Sequence, residues 1–166
     1  MVTDSIFCNP CGVGLIKTFE GCQLNAYQDQ GGRWTIGWGC TGEGIIAGTV
    51  WTQAQADGEF DSRLAVLEDE ICQSLGPQAN LSSNQFSALC SLGWNIGISA
   101  LAGSSALQAV KMERFISVPG FISLWNKITI GGKLVLSPGL ARRRRAECEL
   151  WNLPPVGPCP NWSQFQ

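Results

Sequence analysis

From residue 52 to residue 152 apolar side chains recur three and four positions apart, whereas between 24 and 50 that rhythm gives way to alternation. Phe60, Leu64, Leu67, Ile71 and Leu75 keep helical spacing. They follow Thr52 and Gln55, which fit a capping box, and stop at Gly76-Pro77. Ser82 with Gln85 repeats the start signal, and the helix predicted after it carries Phe86, Leu89, Cys90, Leu92, Trp94 and Ile96, ending near Gly97. A helix apolar on nearly every side belongs in the middle of a core. Shorter helices are expected around 104–112 and 119–127, then a hairpin turning at Gly131-Gly132. A last helix over about 139–152 is stopped by Pro154-Pro155.

The first part of the chain predicts a helix over 12–22. At 100° per residue Val13, Ile16 and Glu20 fall close together, with Leu15, Phe19 and Cys22 extending the same apolar side. Glu20 thus stands near a helix end inside an apolar stripe, an unusual place for a charge. In Trp34-Thr35-Ile36-Gly37-Trp38 the alternation puts both tryptophans and Ile36 on one face, Thr35 and Gly37 on the other. Gly31-Gly32 marks a turn, so Ala26–Asp29 and Trp34–Trp38 read as a hairpin, with a third short strand expected at Ile45-Ile46. The organisation is α+β in one domain over 1–166: a small β lobe over about 24–50, a helical part over 12–22 and 52–152, and a C-terminal tail over 153–166.

Composition narrows the class. An apolar fraction of 45% in 166 residues supports one packed core. Only 14% of residues are charged and the net charge is −2, which argues against a nucleic-acid partner. No run reaches the roughly eighteen apolar residues that span a bilayer. The first seven residues lack the basic flank and apolar stretch of a signal peptide, so the chain reads as a mature form with an added Met1, or as exported by another route. Eight dispersed Cys and no His favour disulfides over a zinc site, because only Cys8-x-x-Cys11 forms a close pair. That points to an oxidising, extracellular compartment. Cys22 with Cys40 and Cys148 with Cys159 are the expected pairs, as each flanks a compact turn.

Glu20 and Asp29 offer carboxyls in contrasting surroundings. Burial on an apolar helix face raises a carboxyl's proton affinity, while Asp29 lies in a polar hairpin among Gln28, Gln30 and glycines. One proton donor and one ionised carboxylate are what glycoside hydrolysis requires. With an odd-numbered turn such as Gly31-Gly32-Arg33, Asp29 stands directly across from Thr35 on the same face. A hydroxyl beside the base can hold a water for attack, which favours inversion with carboxyls roughly 6.5–9.5 Å apart. Trp34 and Trp38 divide about evenly between core packing and stacking on sugar rings, Trp94 reads as core, and Asn95 reads as structural or substrate-positioning. Glu43, in a Gly-rich turn, reads as solvated. Arg142–Arg145 read as a solvated helix face, with an attraction to anionic cell walls as a further use.

The residues resemble the phage-type lysozymes, glycoside hydrolase family 24. The resemblance rests on Leu15-Ile16-Lys17-Thr18-Phe19-Glu20-Gly21, on the Glu-x8-Asp-x5-Thr spacing of Glu20, Asp29 and Thr35, and on Trp34-Thr35-Ile36-Gly37-Trp38-Gly39. Ser83–Leu89 with Trp94-Asn95-Ile96-Gly97, and Gly139–Arg144 with Glu147 and Trp151, extend it over about residues 12–152. It implies a lysozyme-like fold, a small N-terminal sheet lobe and a larger helical lobe around a buried central helix. It also implies a muramidase cutting the β-1,4 bond between N-acetylmuramic acid and N-acetylglucosamine, with Glu20, Asp29 and Thr35 catalytic and one arginine of 142–145 beside Glu20. The implied partner is the peptidoglycan glycan strand, for a monomer that needs no metal or organic cofactor. Family members often carry His where this chain has Cys40, which suggests a disulfide there. A lytic transglycosylase, a catalytically inert wall-binding module and a chitinase are the competing readings; Asp29 and Thr35 at this spacing speak against the first, retention of Glu20, Asp29 and Thr35 together against the second, and the lysozyme motif against the third.

Overall fold

Asn9 and Pro10 start the first helix two residues before the apolar periodicity does. In the computed structural model, which describes residues 6–29, 31–76 and 80–166, α1 spans Pro10–Glu20, with the Asn9 side chain accepting from the Gly12 N–H. Pro at N1 costs the helix nothing, since that N–H has no partner in any helix. The helix ends at Glu20 rather than at 22, because Gly21 caps it and Cys22 has already left for the sheet. Pro77, Gln30 and the N-terminal stretch 1–5, each used in the sequence reading, lie outside the described residues.

A three-stranded antiparallel sheet follows: β1 Gln23–Gln28, β2 Trp34–Gly37 and β3 Cys40–Thr41. The third strand is not at Ile45-Ile46. Gly37 and Gly39, both at positive φ, fold the chain back directly after Trp38, so Ile36 pairs with Cys40. Ile45 instead buries its side chain in a small cluster with Ile36 and Cys40.

Both capping boxes form. Thr52 and Gln55 open α2, Gln53–Leu75, and Ser82 and Gln85 open α3, Ser83–Ile96. Phe86, Leu89, Cys90 and Leu92 of α3 are fully buried; burying each large apolar side chain contributes roughly 1.5–3 kcal/mol. The central helix packs on α1 and, most extensively, on α7, Pro138–Asn152. Gly12 makes the α1 approach possible, since a Cβ there would lie 2.5 Å from that of Ser87.

Between α3 and α7 the chain breaks into short pieces. These are α4 Ile98–Ala102, α5 Ser105–Lys111, a 3-10 turn at Phe115–Ser117, and α6 Val118–Ser123. The helix expected over 119–127 ends at Ser123, and Lys127 is already in the hairpin β4 Lys127–Ile130 and β5 Lys133–Leu136, which turns at Gly131-Gly132 as expected. The result is the expected α+β arrangement, a small sheet lobe beside helices gathered round α3.

One disulfide is formed, and it is not an expected one: Cys11 bonds Cys159, while Cys22, Cys40 and Cys148 keep free thiols. The tail crosses α7 and returns to α1, where Trp162 is buried and its indole N–H donates to the Cys11 carbonyl at 2.9 Å. That route carries Cys159 to Cys11, while the Cys148 thiol turns towards the Pro119 carbonyl. Cys40 is buried in the sheet-lobe cluster, and Cys22 lies beside Gln53.

Candidate active site

Glu20 is the last residue of α1, so its side chain leaves the helix where the chain turns into β1. Its carboxylate is held by an arginine through one oxygen, and the other oxygen faces the turn after β2. Arg143 Nη1 lies 2.6 Å from Oε1, and a Cβ on Gly39 would stand 3.2 Å from Oε2. The turn after β2 therefore packs tightly on Glu20, and a side chain at residue 39 would make the carboxylate give by a few tenths of an ångström. The apolar stripe predicted round Glu20 is thus interrupted by a guanidinium, and its side chain keeps 21% of its exposure.

Arg143 is one end of a buried ionic network, which corrects the reading of 142–145 as a solvated face at Arg143 and Arg144, while Arg145 is exposed as expected. Arg143 and Arg144 are both buried, and the fully buried Glu147 lies between them. Glu147 Oε1 accepts from Ser91 Oγ and Arg144 Nη2, each at 2.8 Å, with Arg143 Nε at 3.4 Å. Arg144 Nε pairs with Oε2 at 2.8 Å. Burial pushes the Glu147 carboxyl up, against the opposing pull of Arg144 and Arg143. Arg143 also donates to the Ser91 carbonyl, and Arg144 to Asn95 Oδ1 at 2.9 Å. Asn95 is exposed, and it lines a cavity of about 470 Å³ with Phe19, Glu20, Gly139, Arg142 and Arg143. Structure and cleft thus meet at Asn95.

Asp29 and Thr35 share a face of the hairpin but do not stand directly opposite. Thr35 pairs with Tyr27 and Trp34 with Gln28, while the Asp29 N–H donates to the Arg33 carbonyl. The turn therefore closes between Asp29 and Arg33, two places off the expected register, and an even offset keeps both side chains on one face as diagonal neighbours. The displacement comes from Asp29 itself. Its Oδ1 accepts from the backbone N–H groups of Gly31 (2.8 Å) and Arg33 (2.9 Å), so the turn closes on the aspartate. Oδ2 points to Arg33 Nε at 3.8 Å. Thr35 Oγ1 donates to the Arg33 carbonyl at 3.1 Å, which leaves its lone pairs for a donor such as water.

The tryptophans part company. Trp34 packs on the Ile36–Cys40–Ile45 cluster of the sheet lobe. Trp38 lies beyond the end of β2, packs on the helical core, and meets Phe60 edge-on at 6.3 Å. Its indole N–H donates to Asp57, whose carboxylate also holds Lys17 at 2.7 Å. Those donors, Lys17 first, keep the Asp57 carboxyl below the usual carboxylate range. Trp94 packs against Phe60 at 4.7 Å, in the core as expected, and Glu43 is exposed.

Glu20, a half-buried carboxyl beside an arginine, lines the cleft, while Asp29 and the buried Thr35 belong to the hairpin that follows α1 and do not line it. Residues 17–147 match the phage lysozyme family, and the chain belongs to it. The chain is 37% identical over 145 residues to an endolysin of Acyrthosiphon pisum secondary endosymbiont phage 1, covering 84% of this chain and 94% of that one. It is 38% identical over 149 residues to an endolysin of Lactococcus phage c2, covering 86% of this chain but only 59% of that longer protein. Among solved structures it resembles the muramidase domain of SpmX from Asticaccaulis excentricus, with a TM-score of 0.81 and 33% identity, covering 89% of this chain and 98% of that domain. The chain is accordingly a lysozyme, an enzyme that hydrolyses peptidoglycan. No helix among the described residues is long and apolar enough to cross a membrane.

Proposed function

We propose that this lysozyme cleaves the β-1,4 bond between N-acetylmuramic acid and N-acetylglucosamine with inversion, using Glu20 as general acid and Asp29 as general base. The observation that carries the reading is the fixed Glu20 carboxyl. Arg143 holds Oε1 and leaves Oε2 free to deliver a proton at the cleft. Protonated Oε2 gives that proton to the glycosidic oxygen as its bond to the anomeric carbon breaks. Asp29, its Oδ1 committed to two backbone donors, takes the proton of a water through Oδ2. Thr35 accepts the water's second hydrogen and aims its oxygen at the opposite face of the anomeric carbon. Asn95 positions the sugar from the cleft wall, and Trp34 offers a partly exposed ring to the strand, while Trp38, edge-on to Phe60, serves in packing. The partner is the peptidoglycan strand, met by a monomer outside the cytoplasm, where a disulfide such as Cys11–Cys159 persists.

The test is digestion of purified peptidoglycan by wild type and Glu20→Gln, with mass spectrometry of the products and NMR of the newly released anomer. Gln keeps shape and the Arg143 contact but has no proton to transfer, so turnover should fall about a hundred- to ten-thousand-fold. Reducing muropeptides that appear first as the α-anomer support the proposal. Anhydro products would make the enzyme a lytic transglycosylase, and equal rates in both proteins would remove Glu20 from the mechanism.

A further inference from the structure

Three groups capable of negative charge converge from three separate segments of the chain. Cys8 precedes the cap of α1, Glu68 lies on α2, and Cys90 lies in the middle of α3. The two sulfurs and a carboxylate oxygen are all within 4.8 Å of one another. Cys90 is fully buried, Glu68 is 9% exposed, and Cys8 is half-buried. The Cys8 N–H donates to Glu68 Oε1 at 2.8 Å, which fixes the carboxylate against the thiols.

Among the described residues, Glu68 forms no ion pair with any lysine or arginine, in contrast to Glu147, which has two arginines. A carboxylate buried beside thiols without a cation is expensive to ionise. A dication would reverse that cost, since a coordinated thiol gives up its proton outright.

We propose that Cys8, Glu68 and Cys90 bind a thiophilic divalent cation of the zinc class, with a water completing the shell. Zinc holds sulfur at about 2.3 Å and oxygen at about 2.0–2.2 Å, which sets tetrahedral ligand atoms roughly 3.3–3.8 Å apart. Side-chain movements of about 1 Å close the present cluster to that size. The ligand set needs no histidine, which the chain lacks. A Cys8–Cys90 disulfide, the other chemistry open to two neighbouring thiols, would engage the sulfurs and leave Glu68 buried with no counter-charge. The cation would tie α2 and α3 to the start of α1, whose other end carries Glu20. Zinc-site spacing is absent from the sequence because the ligands are separated by 60 and 22 residues rather than by two.

The experiment uses the full chain, isolated without chelator or reductant so that Cys11–Cys159 stays intact. Its zinc content is measured, the metal is removed, and the protein is titrated with Co²⁺ while thiolate-to-cobalt charge transfer is followed. One zinc per chain, a charge-transfer band saturating at one cobalt, and displacement of that cobalt by zinc are expected. Cys8→Ser and Glu68→Gln should each weaken binding about tenfold or more. Cys148→Ser, which removes a thiol elsewhere, should bind as wild type does. The wild-type spectrum needs no variant to fold. Absence of the band, binding that neither Cys8→Ser nor Glu68→Gln alters, or peptide mapping that finds Cys8 joined to Cys90 would each overturn the site.

Discussion

Replacing Glu147 by Gln removes one negative charge from the centre of the protein and almost nothing else. The amide keeps the shape of the carboxylate and can still accept from Ser91 Oγ, now 2.8 Å from Oε1. What disappears is the counter-charge of two buried guanidiniums, Arg144 with contacts of 2.8 Å to both oxygens and Arg143 at 3.4 Å. Breaking a buried ion pair from one side costs about 3–5 kcal/mol. Two features decide where in that range this site falls. Burial already works against the charge on Glu147, and Arg143 retains Glu20 while Arg144 retains Asn95. Both push towards the lower limit, about 3 kcal/mol. At roughly 2–4 °C per kcal/mol for a domain of this size, Tm should fall about 6–12 °C, readable by circular dichroism. Activity measured well below Tm should fall too, because Arg143 loses the partner that fixes its far side. A displacement of Glu20 by a fraction of an ångström to one ångström is worth roughly ten- to a hundredfold in rate. Turbidity clearing at a temperature where both proteins are folded reads this separately from stability. A Tm within about 2 °C of wild type together with unchanged clearing would refute the claim that this network holds the site.

Gly39→Ala should cost about 1–2 kcal/mol for placing a side chain at φ 83°, and should lower activity more than stability because its Cβ meets Glu20 Oε2. Full clearing activity in that variant would contradict the contact. Asp57 has its folded value depressed, chiefly by Lys17, so its contribution is complete above the unfolded value near pH ~3.9 and drains away as pH falls through the folded value. The Tm gap between wild type and Asp57→Asn should therefore be open at about pH 6 and close towards about pH 2; a gap independent of pH would rule this out. Losing Cys11–Cys159, which closes a loop of sequence separation 148, removes at most about 5 kcal/mol by chain entropy. The double variant Cys11→Ala/Cys159→Ala should melt roughly 5–15 °C lower than oxidised wild type, and equal melting would show that the tail packs without it.

Local signals carried most of the helical part into view. Capping boxes at Thr52 and Ser82, the all-round apolar run of α3 and the Gly131-Gly132 turn are each decided within a few residues, and each stands where it was expected. The failures share a different cause. The third strand went to Cys40–Thr41 because Gly37 and Gly39 permit a reversal tighter than composition reveals. The hairpin register slipped by two because Asp29 caps its own turn, a choice made by side-chain hydrogen bonds rather than by alternation. The disulfide joined Cys11 to Cys159 because Trp162 docks on α1, and proximity along the chain says nothing about such a return.

The arginine run shows how a long-range charge misleads a local reading. Four consecutive arginines beside Glu147 and Glu149 look like a solvated helix face. Yet the spacings were present in the sequence: Arg143 to Glu147 is i,i+4 and Arg144 to Glu147 is i,i+3, so all three lie on one side of α7. What no local pattern could supply is the partner that makes burial of two arginines tolerable. One carboxylate comes from their own helix, and the other, Glu20, comes from 123 residues earlier. Two guanidiniums against two carboxylates balance, and the balance exists only once α1 and α7 are packed on α3. Placing Glu20 at the cleft and burying Arg143 are therefore one structural event, so a variant that displaces either side chain should disturb the other.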